Sequence, residues 1–433
     1  MIILSNGFPT NMPNSEEVSQ GGPANFARLF YTHIVSATTH KWIGVMFYGN
    51  NVKKVRLEKS FSLPQRDYFK LYLPKKYFRL ITRAKKIDDP SKILQEPIAR
   101  IATLIKKERP DVVLLNGFGF LNWIILKASE QTGVPVVIQH AGIWTKELRL
   151  HKHNYSAAGR KIMEKMEKDS TRLSAVEIFL NTWSRDYYQK HVAKRQDGNS
   201  LIIPLPFDFS SFADTPKNQK KTVGIGSENV FKIGTIGRWD KIKNHKALLS
   251  LAKAAKRVNL PWQFYAVTKI AKTRYPEIKK RDYEKNVKVI RSLDRVGIYD
   301  FCRSMNLLIL PSLFDVSPTV VLEAVSSGTP IAISPNVGYV NEFKKCGAAN
   351  WIINFNSAIN AAIKIKKIAG KPLPQALKNA VIKQHNHKNV LSSYLCLLKA
   401  LAAKKEASHH RQERRSGGKI KSTILRSQYY RKK

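Results

Sequence analysis

Short apolar runs rich in β-branched residues alternate with longer amphipathic stretches along the chain, and this alternation occurs twice. Such a pattern predicts parallel sheets covered by helices. In the first half, strands are predicted at 2–5, 43–47, 112–116, 134–139, 176–181 and 201–203. In the second half, strands are predicted at 232–236, 263–267, 287–290, 307–310, 331–334 and 351–353.

The predicted organisation is α/β, with two facing, Rossmann-like domains that each have a doubly wound parallel sheet. The segment between them carries three prolines and a polar end, which is typical of a hinge linker. The predicted boundaries are 1–203 for the amino-terminal domain, 204–222 for the linker, 223–403 for the carboxyl-terminal domain and 404–433 for a disordered basic tail. Ligands of such sheets bind outside the carboxyl ends of the strands, so we expect the site in the interdomain cleft.

The charge of the chain predicts an anionic partner. There are 75 Lys and Arg against 31 Asp and Glu, a formal charge of +44. Nucleic acid, phospholipid headgroups and a phosphate-bearing substrate are the three candidates. No apolar run approaches the ~20 residues that span a bilayer, and the chain does not start with the basic region of a secretion signal, so a cytoplasmic protein is expected.

The window 304–341 contains two charged side chains, Asp315 and Glu323, in a stretch otherwise typical of a core. The run 307–312 predicts a buried strand, and the Ser-Pro pair at 317 and 318 predicts a helix start. The first acid then falls in the loop after the strand, and the second lies one and a half turns into the helix. Both carboxylates are therefore expected to border the cleft.

The start of that helix favours a phosphate group. The free N–H groups of Thr319 and Val320 point at the space that the two acids border, and a helix N-terminus attracts phosphate. Carboxylates accept hydrogen bonds from sugar hydroxyls. The combination is typical of a nucleotide-sugar site. Acids that only offset the helix dipole, worth about 0.3–1 kcal/mol, are the alternative.

Three further features follow predicted strands. Arg238 and Lys243 supply the positive charge and directional donors that a diphosphate needs. Gly21 and Gly22 precede a helix and let backbone approach a ligand closely. His140 directly follows a strand and is predicted to project into the cleft. Taken singly, these features are more often surface charge, a turn and a structural histidine, respectively.

Together and in this order, these features resemble the retaining glycosyltransferases of family 4, which have the two-domain GT-B fold. Arg238, Lys243 and Asn244 stand at the family's Gly-Arg-x-x-x-x-Lys-Gly/Asn motif, and Asp315 and Glu323 stand at the two acids of its Glu-x7-Glu motif. The resemblance implies that the two cations hold the donor diphosphate. It implies also that Glu323 binds the ribose hydroxyls and that Asp315 binds those of the transferred sugar.

In the first half, Gly21 and Gly22 stand at the family's glycine loop, and His140 stands at its cleft histidine. The resemblance implies that this histidine contacts the sugar and the α-phosphate side. It also implies metal-independent, retaining transfer of a hexose-type sugar without a cofactor, the UDP- or GDP-sugar being a substrate. Asp315 is one methylene shorter than the usual Glu. The family's Gly-x-Gly turn, on the base side of the donor pocket, is replaced by AVTKIAKT at 266–273. Uridine and guanosine therefore both stay open as the base of the donor nucleotide.

The segment 66–86 interleaves aromatic and basic residues. Such a segment is predicted to lie among lipid headgroups, at ~1 kcal/mol per basic residue. The predicted membrane contacts are Lys70, Tyr72, Lys75, Lys76, Tyr77 and Arg79. Binding of single-stranded nucleic acid, or an ordinary helix with buried aromatics and a solvated basic face, would give the same composition.

The sequence thus predicts a cytoplasmic glycosyltransferase, peripheral at the cytoplasmic face of an anionic membrane. Its expected acceptor is a surface glycan, a lipopolysaccharide or a lipid-linked sugar. A GT-B enzyme acting on DNA or another polyanion is one alternative, because the charge of +44 would serve it. A non-catalytic GT-B-fold binding protein is the other, because Asp315 departs from the family pattern.

Overall fold

The computed structural model of the protein describes most of the chain. The described residues are 1–6, 22–36, 39–49, 52–151, 154–194, 199–210, 230–271, 275 and 277–407. Gly21, most of the predicted linker and nearly all of the basic tail lie outside them.

The first half of the chain forms one eight-stranded sheet. Its strands are β1 (Ile2–Asn6), β2 (Lys41–Tyr48), β3 (Arg56–Leu63), β4 (Arg66–Tyr72), β5 (Val112–Asn116), β6 (Val136–His140), β7 (Val176–Phe179) and β8 (Ser200–Ile202). The order across the sheet is β3-β4-β2-β1-β5-β6-β7-β8. All neighbours are parallel except β3 and β4, which pair antiparallel.

Helices cover the sheet and connect its strands, except that β2, β3 and β4 follow one another directly. The helices are α1 (Gly22–Phe30), α2 (Lys75–Thr82), α3 (Pro90–Ile93), α4 (Gln95–Glu108), α5 (Phe120–Thr132), α6 (Trp144–Leu150), α7 (Ala157–Leu173) and α8 (Thr182–Tyr188). π-helical turns follow α1 at Tyr31–Val35 and α8 at Gln189–Ala193.

The second half forms a five-stranded parallel sheet in the order β11-β10-β9-β12-β13. Its strands are β9 (Phe231–Ile236), β10 (Trp262–Val267), β11 (Lys288–Ile290), β12 (Leu307–Leu310) and β13 (Ile331–Ile333). Its helices are α9 (His245–Arg257), α10 (Lys280–Asn286), α11 (Arg295–Ser304), α12 (Thr319–Ser327), α13 (Val340–Lys345), α14 (Ala358–Ile368), α15 (Gln375–His385) and α16 (387–407).

Eleven of the twelve predicted strands are confirmed, with ends that differ by up to two residues. The strand predicted at 351–353 is wrong, because the chain there forms a 3₁₀ turn at Ala349–Trp351 and a single bridge between Ile333 and Ile352. β3 and β4 were not predicted. Their charged residues break the apolar runs by which the other strands were recognised.

The last helix returns to the amino-terminal domain. Tyr394 of α16 is fully buried against Phe26 and Phe30 of α1, with ring centroids 4.9 Å and 6.3 Å away. The Nε2 of Gln139 donates a 2.6 Å hydrogen bond to its hydroxyl. α16 thus joins the two domains beside the linker. Within the described residues, no helix is both long and apolar enough to cross a membrane.

Candidate active site

A cavity of about 960 Å³ lies between the carboxyl ends of the two sheets. Its volume is at the upper end of the range for ligand sites, about 300–1,000 Å³. Six residues predicted from the sequence line it, namely Arg238, Lys243, Asp315, Thr319, Val320 and Glu323. The structure therefore brings the basic pair, the acidic pair and the helix start to one space.

The loop between β9 and α9 holds the basic pair in place. Asp240 organises the loop, because its Oδ1 accepts a 3.0 Å hydrogen bond from the Lys243 backbone and its Oδ2 lies 3.2 Å from Arg238 Nε. A Cβ on Gly237 would lie 3.1 Å from the Lys243 side chain, so the glycine lets this lysine fold close to the backbone. The Arg238 side chain remains 65% exposed and free to reach a ligand.

A buried histidine, His245, supports the loop between β9 and α9. Burial lowers the pKa of His245 to about 4, so its imidazole is neutral at pH 7. Its Nε2 lies 2.9 Å from the Arg238 carbonyl and its Nδ1 lies 2.8 Å from the Tyr283 hydroxyl. Because a carbonyl can only accept, Nε2 carries the proton and Nδ1 accepts from the tyrosine. His245 thereby fixes the backbone from which Arg238 projects.

Asn244 does not line the cavity, contrary to its predicted role in donor binding. It is a left-handed residue, with φ 55°, immediately before α9. Its side-chain amide donates a 3.0 Å hydrogen bond to the Pro311 carbonyl at the end of β12. Asn244 therefore joins the loop of the basic pair to the loop of the acidic pair.

Asp315 lies in the loop between β12 and α12, whose backbone is pinned on both sides. Its N–H donates to the Asn336 carbonyl at 3.0 Å, and its own carbonyl accepts from Gly338 N–H at 2.9 Å. The carboxylate accepts from Ser312 Oγ at 3.3 Å and forms an ion pair with Lys243 Nζ. The basic motif and the acidic motif are therefore in direct contact.

Glu323 is the fifth residue of α12 and is 5% exposed. Among the described residues, its Oε2 has no hydrogen-bond partner. Burial raises the pKa of this carboxyl to about 7, against the opposing effects of the Thr319 hydroxyl and the charges of Arg295 and Lys243. Glu323 lines the cavity, so the wall contains a buried carboxyl group with one oxygen that has no partner among the described residues.

The helix starts one residue later than predicted. Pro318 is the N-cap, and the Ser317 hydroxyl lies 3.3 Å from the Tyr339 hydroxyl instead of capping α12. Thr319 and Val320 are accordingly the first two helical residues, and both line the cavity. N–H groups at this position have no intrahelical partner, so they can bind an anion.

His140 does not project into the cleft, so the prediction for its position is wrong. It is the last residue of β6 and is fully buried. Its Nε2 lies 2.8 Å from Glu177 Oε1, and its ring stacks on Phe179 of β7 at 4.6 Å and lies 4.5 Å from Tyr188 of α8. The side chain points towards these neighbours rather than off the strand end. Gly22 is the first residue of α1 rather than a residue before the helix, and its role in donor binding stays a prediction.

The predicted membrane segment is not one helix. Residues 66–72 are the interior strand β4, and Lys70 and Tyr72 lie half-buried beside Tyr48 and Arg56, at 5.4 Å and 5.0 Å respectively. Tyr77 is buried and donates to Glu96 Oε2 at 3.0 Å. These three are therefore not exposed contacts, because they belong to the packing of the sheet and α2.

The other three predicted contacts, Lys75, Lys76 and Arg79, are exposed on α2. Beside them lie exposed apolar side chains: Phe47 is 39%, Phe78 is 46% and Leu80 is 51% exposed. Phe47 and Phe78 both contact Phe120, at 6.3 Å and 6.1 Å. We call these six exposed residues of β2 and α2 the α2 patch.

Several residues of the cavity wall were not predicted from the sequence. On the amino-terminal side they include Asn6, Asn116, Phe118, Trp144 and Glu147, and on the other side they include Lys269 and Arg291. Nearly all lie at, or within a few residues after, the carboxyl end of a strand. That position was the available signal, since parallel strands end at the same edge of a sheet.

Comparison with solved structures confirms the GT-B fold. Sucrose-phosphate synthase from Thermosynechococcus elongatus superposes with a TM-score of 0.70 at 15% identity, over 93% of this chain and 99% of that one. An E. coli structure described as trehalose-6-phosphate bound with UDP-2-fluoro glucose gives 0.63 at 11% identity, over 92% and 98%. An α,α-trehalose-phosphate synthase (UDP-forming) from Burkholderia xenovorans, in complex with glucose-6-phosphate, gives 0.64 at 12%, over 92% and 99%.

Sequence comparison finds similarity within the carboxyl-terminal domain. Residues 217–384 match the family model described as "Glycosyl transferases group 1". A curated relative, "Putative glycosyltransferase EpsF" of Bacillus subtilis (strain 168), is 26% identical over 141 residues. The match covers 31% of this chain and about a third of the relative, 36%. The family-model range contains the basic pair, the acidic pair and α12.

Proposed function

We propose that the protein is a metal-independent, retaining glycosyltransferase that moves a hexose-type sugar from a UDP- or GDP-sugar to a glycan or lipid-linked acceptor. The observation that carries the proposal is that the buried Glu323, one of whose oxygens has no partner among the described residues, lines the same cavity as Arg238 and the Lys243–Asp315 ion pair. The analogue bound to the E. coli structure is a UDP-sugar, which supports this class of donor.

The chemistry of such a transfer suits these groups. Breaking the anomeric C–O bond leaves negative charge on the diphosphate and positive charge on the sugar. The cations of Arg238 and Lys243, with the N–H groups of α12, stabilise the leaving group without reorganisation. Glu323 binds the ribose hydroxyls and Asp315 binds those of the transferred sugar, because a carboxylate accepts hydrogen bonds from hydroxyls.

A screen of UDP- and GDP-sugars by thermal shift tests the proposal. A donor at 100 times its Kd stabilises the protein by ~2.7 kcal/mol, which raises Tm measurably. Glu323→Ala should remove the shift and reduce sugar transfer by orders of magnitude. Glu164→Ala is the control, because this carboxylate of α7 pairs with Arg149 outside the cavity. Stabilisation of Glu323→Ala equal to that of the wild type would refute the proposed site.

We also propose that the protein lies at an anionic membrane surface, with the α2 patch as its contact. Exposed aromatic and aliphatic side chains next to cations can insert between anionic lipid headgroups, at ~1 kcal/mol per cation. Reversal of Lys75 and Lys76 to Glu should weaken binding to anionic vesicles by at least tenfold. The matched control reverses Lys106 and Lys107, two exposed cations of α4 in the same domain. Equal losses in both variants, or preferential binding to duplex DNA, would contradict the membrane assignment.

A further inference from the structure

The amino-terminal wall of the cavity has the composition of a sugar site. Asn6 ends β1 and Asn116 ends β5, and the Asn6 side chain binds the Asn116 backbone. Its Oδ1 accepts from the Asn116 N–H at 2.8 Å, and its Nδ2 donates to the Asn116 carbonyl at 2.9 Å. Phe118 and Trp144 follow β5 and β6, with their rings 5.5 Å apart at 68°. Two half-exposed rings beside fixed amides offer apolar faces and directional groups together, as ligand sites do.

The same wall contains one carboxylate, which the packing holds in position. Glu147 of α6 is half-buried and lines the cavity. A Cβ on Gly142 would lie 2.4 Å from its Oε1, so the glycine leaves the space that the carboxyl group occupies. Glu167 fixes α6 itself, because its carboxylate accepts from the N–H groups of Trp144 and Thr145 at 2.7 Å and 2.6 Å.

Charge is divided between the two walls. The cations that line the cavity, among the residues described, all lie on the carboxyl-terminal side, and they are Arg238, Lys243, Lys269 and Arg291. On the amino-terminal side, the charged group that the described residues contribute is the Glu147 carboxylate. Burial raises the pKa of Glu147 to about 7, with the charge of Arg238 opposing the rise, so the group is partly ionised at pH 7 and its negative charge increases above that pH. That charge disfavours a phosphate there, whereas sugar hydroxyls can donate to the carboxylate and to the amide oxygens.

We propose that this wall binds the acceptor through a neutral, unphosphorylated sugar unit and that Glu147 excludes sugar phosphates. The inference rests on the proposed function and adds the substrate class of its acceptor side. Phe118 and Trp144 contact the apolar face of the sugar ring, and Glu147 accepts from its hydroxyls. Selection therefore depends on an unfavourable contact for the wrong acceptor as well as a favourable one for the right acceptor.

The test uses the full chain with the nucleotide sugar that stabilises it best. Methyl glycosides of common hexoses and the matching hexose 6-phosphates are offered as acceptors, and both nucleotide release and glycoside product are measured. We expect methyl glycosides to have kcat/KM at least tenfold above that of their 6-phosphates. Glu147→Lys should reduce this ratio at least tenfold, chiefly through the KM of the phosphates. The ratio for Glu147→Gln should lie between that of the wild type and that of Glu147→Lys.

Glu164→Lys is the matched control, because it makes the same charge change outside the cavity and should leave the ratio unaltered. Preference for 6-phosphates, an unchanged ratio in Glu147→Lys, or no response to any neutral sugar while the donor is bound and hydrolysed would each overturn the acceptor inference alone. Failure of every nucleotide sugar to bind would overturn the proposed function, and this inference with it.

Discussion

Replacement of Glu323 by Gln should abolish activity. Relative to the wild type, it should also stabilise the protein more at pH 8 than at pH 5. Burial raises the pKa of this carboxyl from 4.5 to about 7. The native state thus binds the proton more tightly than the unfolded chain. The carboxyl contributes most stability below pH 4.5 and loses that contribution as the pH rises through 7. Gln has no such dependence, because it stays neutral.

The size of the effect follows from the pKa. A change from 4.5 to about 7 corresponds to about 3 kcal/mol, at 1.36 kcal/mol for each tenfold change in proton affinity. The full value applies as an upper limit, since the side chain is 5% exposed. Between pH 5 and pH 8, the Tm of Glu323→Gln minus that of the wild type should rise by several degrees. Parallel Tm curves for the two proteins would refute the reasoning, and Glu164→Gln should give such a parallel curve.

Two other substitutions test the site and its support. Lys243→Ala should reduce turnover by orders of magnitude with an unchanged circular dichroism spectrum, and near-normal turnover would argue against its contact with the diphosphate. Gly338→Ala should cost about 1–3 kcal/mol, because a Cβ would lie 1.9 Å from the Val316 carbonyl and 2.6 Å from Asn181 Nδ2, which donates to that carbonyl at 2.7 Å. A lowered Tm and a raised donor KM are expected, whereas Gly119→Ala, with nothing within 4 Å of the added Cβ, should match the wild type.

The sequence predicted the strands whose two faces are both covered. Val112–Asn116 and Leu307–Leu310 are buried along their whole length, and their bounds were predicted without error. Strand β4 was missed because Arg66, Asp67 and Lys70 interrupt it. Lys41 and Lys59 pair with Asp67 at 2.8 Å and 2.7 Å, so ion pairs reconcile these charges with the sheet. The two lysines lie on other strands, β2 and β3, so the run that forms β4 carries no sign of these pairs.

For the candidate site too, the sequence predicted what local spacing determines and missed what depends on contacts with other elements. Spacing placed Asp315 and Glu323 near one another, because a strand, a loop and a helix start fix their separation. Spacing did not show that His140 turns towards Glu177, since the end of a strand does not reveal which face its last side chain takes. A lone acid such as Glu147 is usually a solvated residue of a helix. Its place in the cavity depends on Gly142 and on the capping of α6 by Glu167.

The return of α16 has a consequence for attempts to recombine this protein with its relatives. A single crossover in the linker would exchange the donor half together with Tyr394, and the new helix would meet Phe26 and Gln139 with unmatched side chains. An insert that ends after α15 would leave that contact native. Donor preference should therefore be transferred by exchanging an internal segment with two junctions. The first half produced alone should aggregate through the surface that α16 normally covers.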